Sequence, residues 1–600
     1  MCGIAGIFAY NSGSVVEEKE LLACREAMVA RGPDGSGAWI SPDGDIGLAS
    51  RRLSIIDLTD AGAQPMATED GSLRLVFNGE IYNYRALRSD LEARGHRFRS
   101  DSDTEVLLHL YRERGQNMVH DLRGMYAFAL WDDRKNGLLL VRDPFGIKPL
   151  YYADDGSSIR FASQVKALLK AGRVDRSCQP AGHVGFFLWG YVPEPYTLYR
   201  GVQALPAGST LWIDRSGPRG VRPFWRPSDE LAKGEAANGA VRRELAAQRL
   251  RVALVESVKA HLVADVPVGV FLSSGLDSTT LAALASETAS SRLRTVTLAF
   301  REYEGEENDE APLAAKVAEK YSTSHLTSWL SRDDFQTHLS HLTAAMDQPS
   351  IDGVNTYFVS KVVAETGLKV ALSGLGGDEL FGSYPSFRDV PRMASLPIPP
   401  RSAASLGRAF RLICAPLTKR FVSPKYAGLL EYGGSYGGAY LLRRGLFMPW
   451  ELPGILGEDV AREGWRELQP LLRLEETVRG VSSDRLKVSA LEMAWYMRNQ
   501  LLRDADWAGM AHSLEIRVPL VDVDLLRAVA PLLSSPEPLT KLDMARSPKR
   551  PLPEDVVRRR KTGFAVPVRD WLLQAENGSN AERGLRGWAR TVYALRGNGT

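Results

Sequence analysis

Short apolar runs, broken repeatedly by glycine and proline, fill the chain from Gly3 to about Trp225. Those at Ile46–Ile56, Leu73–Phe77, Tyr126–Trp131 and Leu138–Arg142 read as strands, the last two joined as a hairpin across 132–137. Helical spacing interrupts them twice. One stretch covers about 18–28. The other starts at Ser102, where a Ser-x-x-Glu capping box (Ser102, Glu105) precedes an apolar face of Val106, Leu107, Leu110 and Tyr111. Between Trp225 and about Gln248 the rhythm fades into polar and charged residues with Pro227, Gly234 and Gly239, which predicts a linker. Helical spacing resumes at Leu254, Val255, Val258 and Leu262. From Val266 onward the pattern alternates: a strand at Val266–Leu272, a helix after Asp277, a strand at Arg294–Phe300, helices at about 310–321 and 355–365, and a strand at Lys369–Leu372. Such alternation predicts a parallel sheet covered on both faces, with ligands at the carboxyl ends of its strands. The resulting division is 2–225, a linker 226–248, 249–573, and a polar tail 574–600 rich in glycine, asparagine and arginine.

Composition narrows this picture. A chain of 600 residues exceeds one hydrophobic core. With 44% apolar and 24% charged residues and a formal charge of +3, no whole-chain argument for nucleic acid or an anionic membrane arises. Cys2, Cys24, Cys178 and Cys414 are far apart and form no CxxC or Cys/His cluster, so neither a disulfide framework nor a zinc site is indicated. The longest apolar stretch, near Val184–Val192, holds about nine residues, too few to span a bilayer. No basic segment precedes the apolar start Gly3–Phe8, as a secretory signal requires. The expectation is a cytoplasmic protein without membrane or nucleic-acid partners. A homodimer is admitted, but nothing in the sequence requires one.

Cys2 changes the argument. Once the initiator methionine is trimmed, one residue carries both a thiol and a free α-amino group, and that amine titrates at roughly 7.7–8.0, close enough to neutrality to take a thiol proton through a water. The plain alternative is a small buried hydrophobe. Cys2-Gly3-Ile4 is followed in order by Arg31-Gly32-Pro33-Asp34, Arg52-Leu53-Ser54-Ile55, Asn78-Gly79-Glu80-Ile81-Tyr82-Asn83 and Ser102-Asp103-Thr104-Glu105. This series resembles the class II glutamine amidotransferases. The resemblance implies an N-terminal-nucleophile fold of two sheets between helix layers, with Cys2 attacking the side-chain amide of glutamine. It also implies oxyanion donors from the Asn78 amide and the Gly79 backbone N–H, and Arg52 and Asp103 facing the substrate's α-carboxylate and α-ammonium. Leu53, Ser54, Ile55, Ile56 and Glu80 complete the implied glutamine pocket. Asn78-Gly79 is also an ordinary turn dipeptide, and Asp103 in a first helical turn also favours the macrodipole.

Two loops carry the second half. Leu272-Ser273-Ser274-Gly275-Leu276-Asp277-Ser278-Thr279 follows a strand and opens a helix, a natural anion seat, but it lacks the lysine of a Walker loop. It resembles the pyrophosphate loop of ATP-pyrophosphatases; a plain helix cap is the other reading. Ser373-Gly374-Leu375-Gly376-Gly377-Asp378-Glu379-Leu380-Phe381-Gly382 falls at the next strand end, and Asp277 and Asp378 together suit a shared Mg²⁺.

Jointly, and over most of the chain, the resemblance is to the asparagine synthetase family. Further stretches that match are 504–510, Glu515-Ile516-Arg517-Val518-Pro519 and Arg560-Lys561-Thr562-Gly563-Phe564. The resemblance places Leu272 and Leu298 beside adenine, Ser273, Ser274, Gly275, Leu276, Asp277 and Ser278 around the pyrophosphate, Ser373 and Gly374 at the nucleotide, and Lys561 at phosphate charge. By composition alone, Arg558–Lys561 also reads as a solvated basic helix end. Three positions depart from the family pattern. Ser274 and Ser383 replace glycines, and Leu375 stands where a glutamate is usual, although leucine moves no proton. Glu379 or a water substitutes, or the pocket accepts another acid.

The implied activity is glutamine- and ATP-dependent amidation of a carboxylate through an acyl-adenylate, with aspartate as the first candidate acceptor. Two alternatives stay open: another acceptor such as a sugar uronate or biosynthetic intermediate, and a nucleotide-binding regulator or scaffold without chemistry. The implied fold combines an αββα glutaminase sandwich with a parallel-sheet domain.

Overall fold

A computed structural model describes residues 2–11, 13–237, 239, 242–398, 407, 411, 424–559, 571 and 584–597. Twelve strands precede residue 225: β1 (Cys2–Ala9), β2 (Gly35–Ile40), β3 (Ile46–Arg52), β4 (Met66–Ala67), β5 (Leu73–Ile81), β6 (Gly124–Asp132), β7 (Gly137–Arg142), β8 (Tyr151–Asp154), β9 (Ser158–Ala162), β10 (Gln203–Ala204), β11 (Ser209–Asp214) and β12 (Gly217–Pro223). They form two six-stranded sheets, ordered β10-β8-β9-β1-β3-β2 and β12-β11-β7-β6-β5-β4. All eight residues of β1 are buried, because small and apolar side chains on both of its faces meet protein. On one face Ile4 and Phe8 join Leu48, Val76, Ala129, Trp131 and Leu140 between the sheets. On the other, Ala5 and Ile7 pack beneath Cys24, Met28 and Leu21 of the first helical segment. The far face of the second sheet is closed by the helix Asp103–Arg114. Helix, sheet, sheet, helix is the layering that the sequence implied.

The second domain centres on five parallel strands, β13 (Val268–Phe271), β14 (Arg294–Phe300), β15 (Ser324–Leu330), β16 (Val370–Leu372) and β17 (Glu515–Arg517), ordered β15-β14-β13-β16-β17. Every pairing is parallel. The expected strands at 266–272, 294–300 and 369–372 are β13, β14 and β16. The edge strands β15 and β17 escaped the sequence reading: β15 carries mixed polarity, and β17 has three residues, too short to show a period.

Three expectations are corrected. The linker 226–248 is largely helical: Pro227–Ala236 packs Leu231 and Gly234 against the helix Val523–Leu533, and Arg243–His261 begins within the same stretch. Its buried apolar side chains among the described residues, Pro227, Leu231 and Ala246, are too widely spaced to show a period. The polar tail 574–600 contains a helix, Leu585–Gly597, anchored by buried Trp588, Ala589 and Val592 and by Arg586 on Glu451. Its apolar stripe is hidden by the polar residues around it. The capping box forms only in part. Ser102 accepts from Thr104 N–H, but Glu105 turns to the backbone N–H groups of Arg99 and Ser100 rather than back to Ser102.

The two domains are joined by polar contacts as well as apolar ones. Arg123 pairs in two-pronged fashion with Asp522, Asp265 N–H donates to Ile55 O, and Lys369 reaches Asp34 at 2.7 Å. Asp34 in turn accepts from Ser54 N–H.

Candidate active sites

Cys2 opens β1 directly opposite Arg52, the last residue of β3. Its backbone nitrogen donates to Asn78 Oδ1 at 3.1 Å, so β5 of the second sheet reaches the start of β1. The other end of the same side chain, Asn78 Nδ2, is buried without a partner among the described residues. An unmet donor there is costly unless something else fills it, and a developing oxyanion is such a group. Gly79 follows with φ of +153°, and a Cβ on it would lie 2.1 Å from Met125 O; the chain passes too close to β6 for any side chain.

Burial raises the pKa of the Cys2 thiol, opposed by a hydrogen bond from Leu53 N–H and by the charge of Arg52. The thiolate therefore has to be made by a neighbouring base rather than waiting at rest. Arg52 rests its guanidinium on the 56–59 loop, donating to Thr59 O (2.9 Å), Ile56 O (3.3 Å) and Asp57 O. Asp103, in the first turn of its helix, accepts from Ile81 N–H at 2.9 Å, and burial pushes its carboxyl up to about 6. Leu53, Ile55 and Ile56 bury their side chains in the cluster under the second sheet, so only their backbones are left to meet a ligand. Glu80 is turned away toward the second domain, 3.3 Å from Arg517, its pKa raised well above the usual range by burial and by Glu515.

At the carboxyl ends of β13 and β16 two loops meet. Ser278 Oγ ties back to Ser273 (Oγ at 2.7 Å, backbone O at 2.9 Å), and Gly275 N–H donates to Ser273 Oγ, so the first loop is cinched before its helix Leu276–Thr288 begins. Ser274 is buried, as are Leu272 and Leu298 in the core beneath. Gly374 and Gly377 let the second loop lie against Asp277; a Cβ on Gly377 would sit 2.4 Å from Asp277 Oδ1. Asp277 and Asp378 are thereby brought together, and Lys541 bridges them, its Nζ 2.6 Å from Asp277 Oδ2 and in contact with Asp378. Burial works against the lysine charge, but the two carboxylates outweigh it and its pKa is raised. Ser383 Oγ also bonds Asp378, so the serine that departs from the family glycine has a role in orienting that carboxylate. The donor set fits Mg²⁺: hard carboxylate oxygens converging on one cation position, with phosphate oxygens to supply the rest. Among the described residues no three His, Cys, Asp or Glu side chains form a cage of their own. Lys561 lies outside the described residues.

Sequence reasoning missed three participants. Lys541 sits in a stretch with no distinctive pattern. Arg31 and Asp506 were visible inside matching stretches but had no assigned partner; they pair with each other across the domain boundary, and Arg31 Nε donates to Cys2 O at 3.2 Å. Only a three-dimensional contact reveals them.

Residues 1–225 match the family model described as "Glutamine amidotransferase domain", and residues 249–594 the one described as "Asparagine synthase". Similar proteins include asparagine synthetase [glutamine-hydrolyzing] 1 of Bacillus subtilis, 32% identical over 96% of this chain and 89% of that protein. Asparagine synthetase B [glutamine-hydrolyzing] of Escherichia coli is 33% identical over 66% of this chain and 67% of its own length. A protein of Gibberella zeae named amidase chry2 is 30% identical over 65% and 60%. No described helix is long and apolar enough to cross a membrane. With a double sheet whose first strand opens on Cys2, a carboxylate pair at the parallel-sheet loops, and relatives matched along nearly its whole length, this chain is an enzyme of the glutamine-hydrolysing asparagine synthetase family.

Proposed function

We propose that the enzyme transfers the amide nitrogen of glutamine to a carboxylate activated by ATP, with aspartate as acceptor and asparagine as product. Removal of Met1 frees the Cys2 amine, which accepts the thiol proton; Cys2 Sγ attacks the glutamine amide carbon and a glutamyl thioester forms as ammonia leaves. Asn78 Nδ2 and Gly79 N–H meet the oxyanion, Arg52 the substrate carboxylate and Asp103 its ammonium. A water then releases glutamate.

In the second domain the loop 272–278, with Ser373 and Gly374, seats the nucleotide, and Lys561 offsets phosphate charge. Asp277 and Asp378 would hold Mg²⁺ against the departing pyrophosphate; when bound, the ion supplies charge neutralisation on phosphate oxygens. The acceptor carboxylate displaces pyrophosphate to give an acyl-adenylate, and ammonia displaces AMP. Free ammonia is protonated in bulk water at neutral pH, so transfer inside the protein is favoured.

The observation that carries the reading is the Asn78 side chain, its oxygen committed to Cys2 N and its amide donor buried and unpartnered. The test is to supply glutamine, ATP, Mg²⁺ and aspartate and to measure glutamate, asparagine, AMP and pyrophosphate together. Cys2→Ala is expected to lose glutamine-dependent synthesis and keep the ammonia-dependent reaction. Equal, near-zero glutamate release by wild type and variant would leave only a scaffold.

One observation favours a second acceptor. Leu375 packs against the second core, where it moves no proton. Nearby Glu379, buried and held by Tyr384 OH at 2.8 Å, has its carboxyl pushed up to about 7 by burial and by Asp378, which suits it to proton transfer. ATP–pyrophosphate exchange run with a panel of acids decides. Exchange with another acid and none with aspartate replaces the first acceptor by the second.

A further inference from the structure

One continuous helical rod runs from the nucleotide loops to the glutaminase nucleophile. Helix Asp484–Leu491 passes into an eleven-residue π-helical segment, Glu492–Leu502, and on into Arg503–Met510. π-Helical turns are usually single and mark functional sites, so a run of this length is unusual. Within it Tyr496 meets Tyr384 edge to face at 5.9 Å, and Tyr384 OH holds Glu379, the neighbour of Asp378.

Ten residues further along the rod, Asp506 leaves the second domain altogether. Its two oxygens take Arg31 Nη1 (2.6 Å) and Nη2 (3.0 Å), and the third nitrogen of that guanidinium, Nε, donates to Cys2 O at 3.2 Å. Arg31 is 1% exposed and Asp506 6%, so neither has water as an alternative partner. Burial works against the Arg31 charge and Asp506 outweighs it, raising its pKa. A two-pronged grip also fixes the plane of the guanidinium, and with it the direction of Nε. The Cys2 main chain is thus pinned at both ends of the residue, by Asn78 at N and by Arg31 at O.

We propose that Asp506 is a positioning residue of the glutaminase reaction, holding the Cys2 main chain in its attacking geometry through Arg31 from the opposite domain. The inference rests on Cys2 as the nucleophile. A carboxamide at 506 keeps the shape but loses the charge and one accepting oxygen, freeing the guanidinium to turn. A misplacement of about 1 Å at a reacting group costs roughly a hundredfold in rate.

The experiment uses the full-length enzyme and compares wild type, Asp506→Asn and Asp506→Glu in two assays: glutamate release from glutamine, and ATP–pyrophosphate exchange driven by the acceptor acid in the absence of ammonia. Asp506→Asn is expected to lower glutaminase kcat about a hundredfold with KM within about twofold, and to leave exchange within about twofold, while Asp506→Glu recovers part of the loss. Wild-type kcat in Asp506→Asn overturns the proposal. So does a fall of both reactions together with a lowered Tm, which is the signature of a merely structural pair. Should Asp506→Asn fail to fold, Arg31→Lys keeps a cation opposite Asp506 but removes the fork; an unchanged glutaminase kcat there overturns the proposal equally. Wild type that releases no glutamate at all sinks the nucleophile reading itself, a result distinct from any behaviour of the variants.

Discussion

In the first domain Cys2, Arg52 and Asn78 stand on strands and Asp103 in the first turn of a helix, each tied by backbone hydrogen bonds; in the second, Asp277 and Asp378 stand at loop–helix junctions, held together by one lysine. The first arrangement is fixed by those bonds and leaves Asn78 Nδ2 without a partner among the described residues. The second is a balance of charge, two carboxylates against one ammonium, in which the protein's own cation stands at the loops proposed to face phosphate. A site that must stabilise one fixed oxyanion gains from rigidity, because prepositioned donors need no reorganisation during reaction. A site that must take up ATP and release pyrophosphate gains from charges that can be exchanged.

That contrast is broken most severely at Asp378. Asp378→Asn leaves Lys541 facing a single carboxylate and removes a hard oxygen donor, so ATP–pyrophosphate exchange is expected to fall about a thousandfold while glutamate release stays within about twofold. Exchange at the wild-type rate would show that the carboxylate pair is structural. The mirror experiment is Asn78→Ala, which deletes the unpartnered donor. Glutaminase kcat is expected to drop about a hundredfold, with acceptor-driven ATP–pyrophosphate exchange intact, as measured by parallel glutamate-release and exchange assays.

The two regions also differ in how much of them could be read from the chain. Strand–helix alternation after Val266 and the strand breaks before Trp225 picked out inner strands of all three sheets, because burial on one or two faces leaves a period in the side chains. Cys2, Asn78 and Asp103 were legible because each sits in a short contiguous motif. Lys541 and the Arg31–Asp506 pair were not, since their meaning lies in contacts spanning 163 and 475 positions of sequence. The helix Leu585–Gly597 was hidden for another reason: its buried Trp588, Ala589 and Val592 are outnumbered by the polar residues around them. Composition averages over faces, and a single stripe is lost in the mean.

Asp103 sharpens the comparison through pH. Burial raises its carboxyl to about 6, so the group is ionised above that value and becomes neutral as pH falls through it. In the proposed pocket, where Asp103 faces the glutamine α-ammonium, only the ionised form attracts it. The KM for glutamine is therefore expected to be flat above about pH 7 and to rise about tenfold per unit well below 6, and Asp103→Asn should abolish that dependence at a uniformly high KM. Steady-state glutaminase kinetics from pH 5 to 8 check it.

The smallest expected effect tests where that rigidity comes from. Ser102 caps the helix Asp103–Arg114, its hydroxyl accepting from Thr104 N–H, and the partner expected for a full capping box has been drawn off to Arg99 and Ser100. Ser102→Ala removes the one side-chain cap at a buried helix end and should cost about 1 kcal/mol of stability by denaturant unfolding. Asp103 is the next residue, but it is fixed independently by Ile81 N–H on β5. If the strand rather than the helix end positions this carboxylate, the stability loss comes with a glutamine KM changed by no more than about twofold. A KM that climbs as steeply as in Asp103→Asn would mean instead that the helix terminus sets the pocket. The glutaminase site would then share the loop-borne character of its counterpart in the second domain.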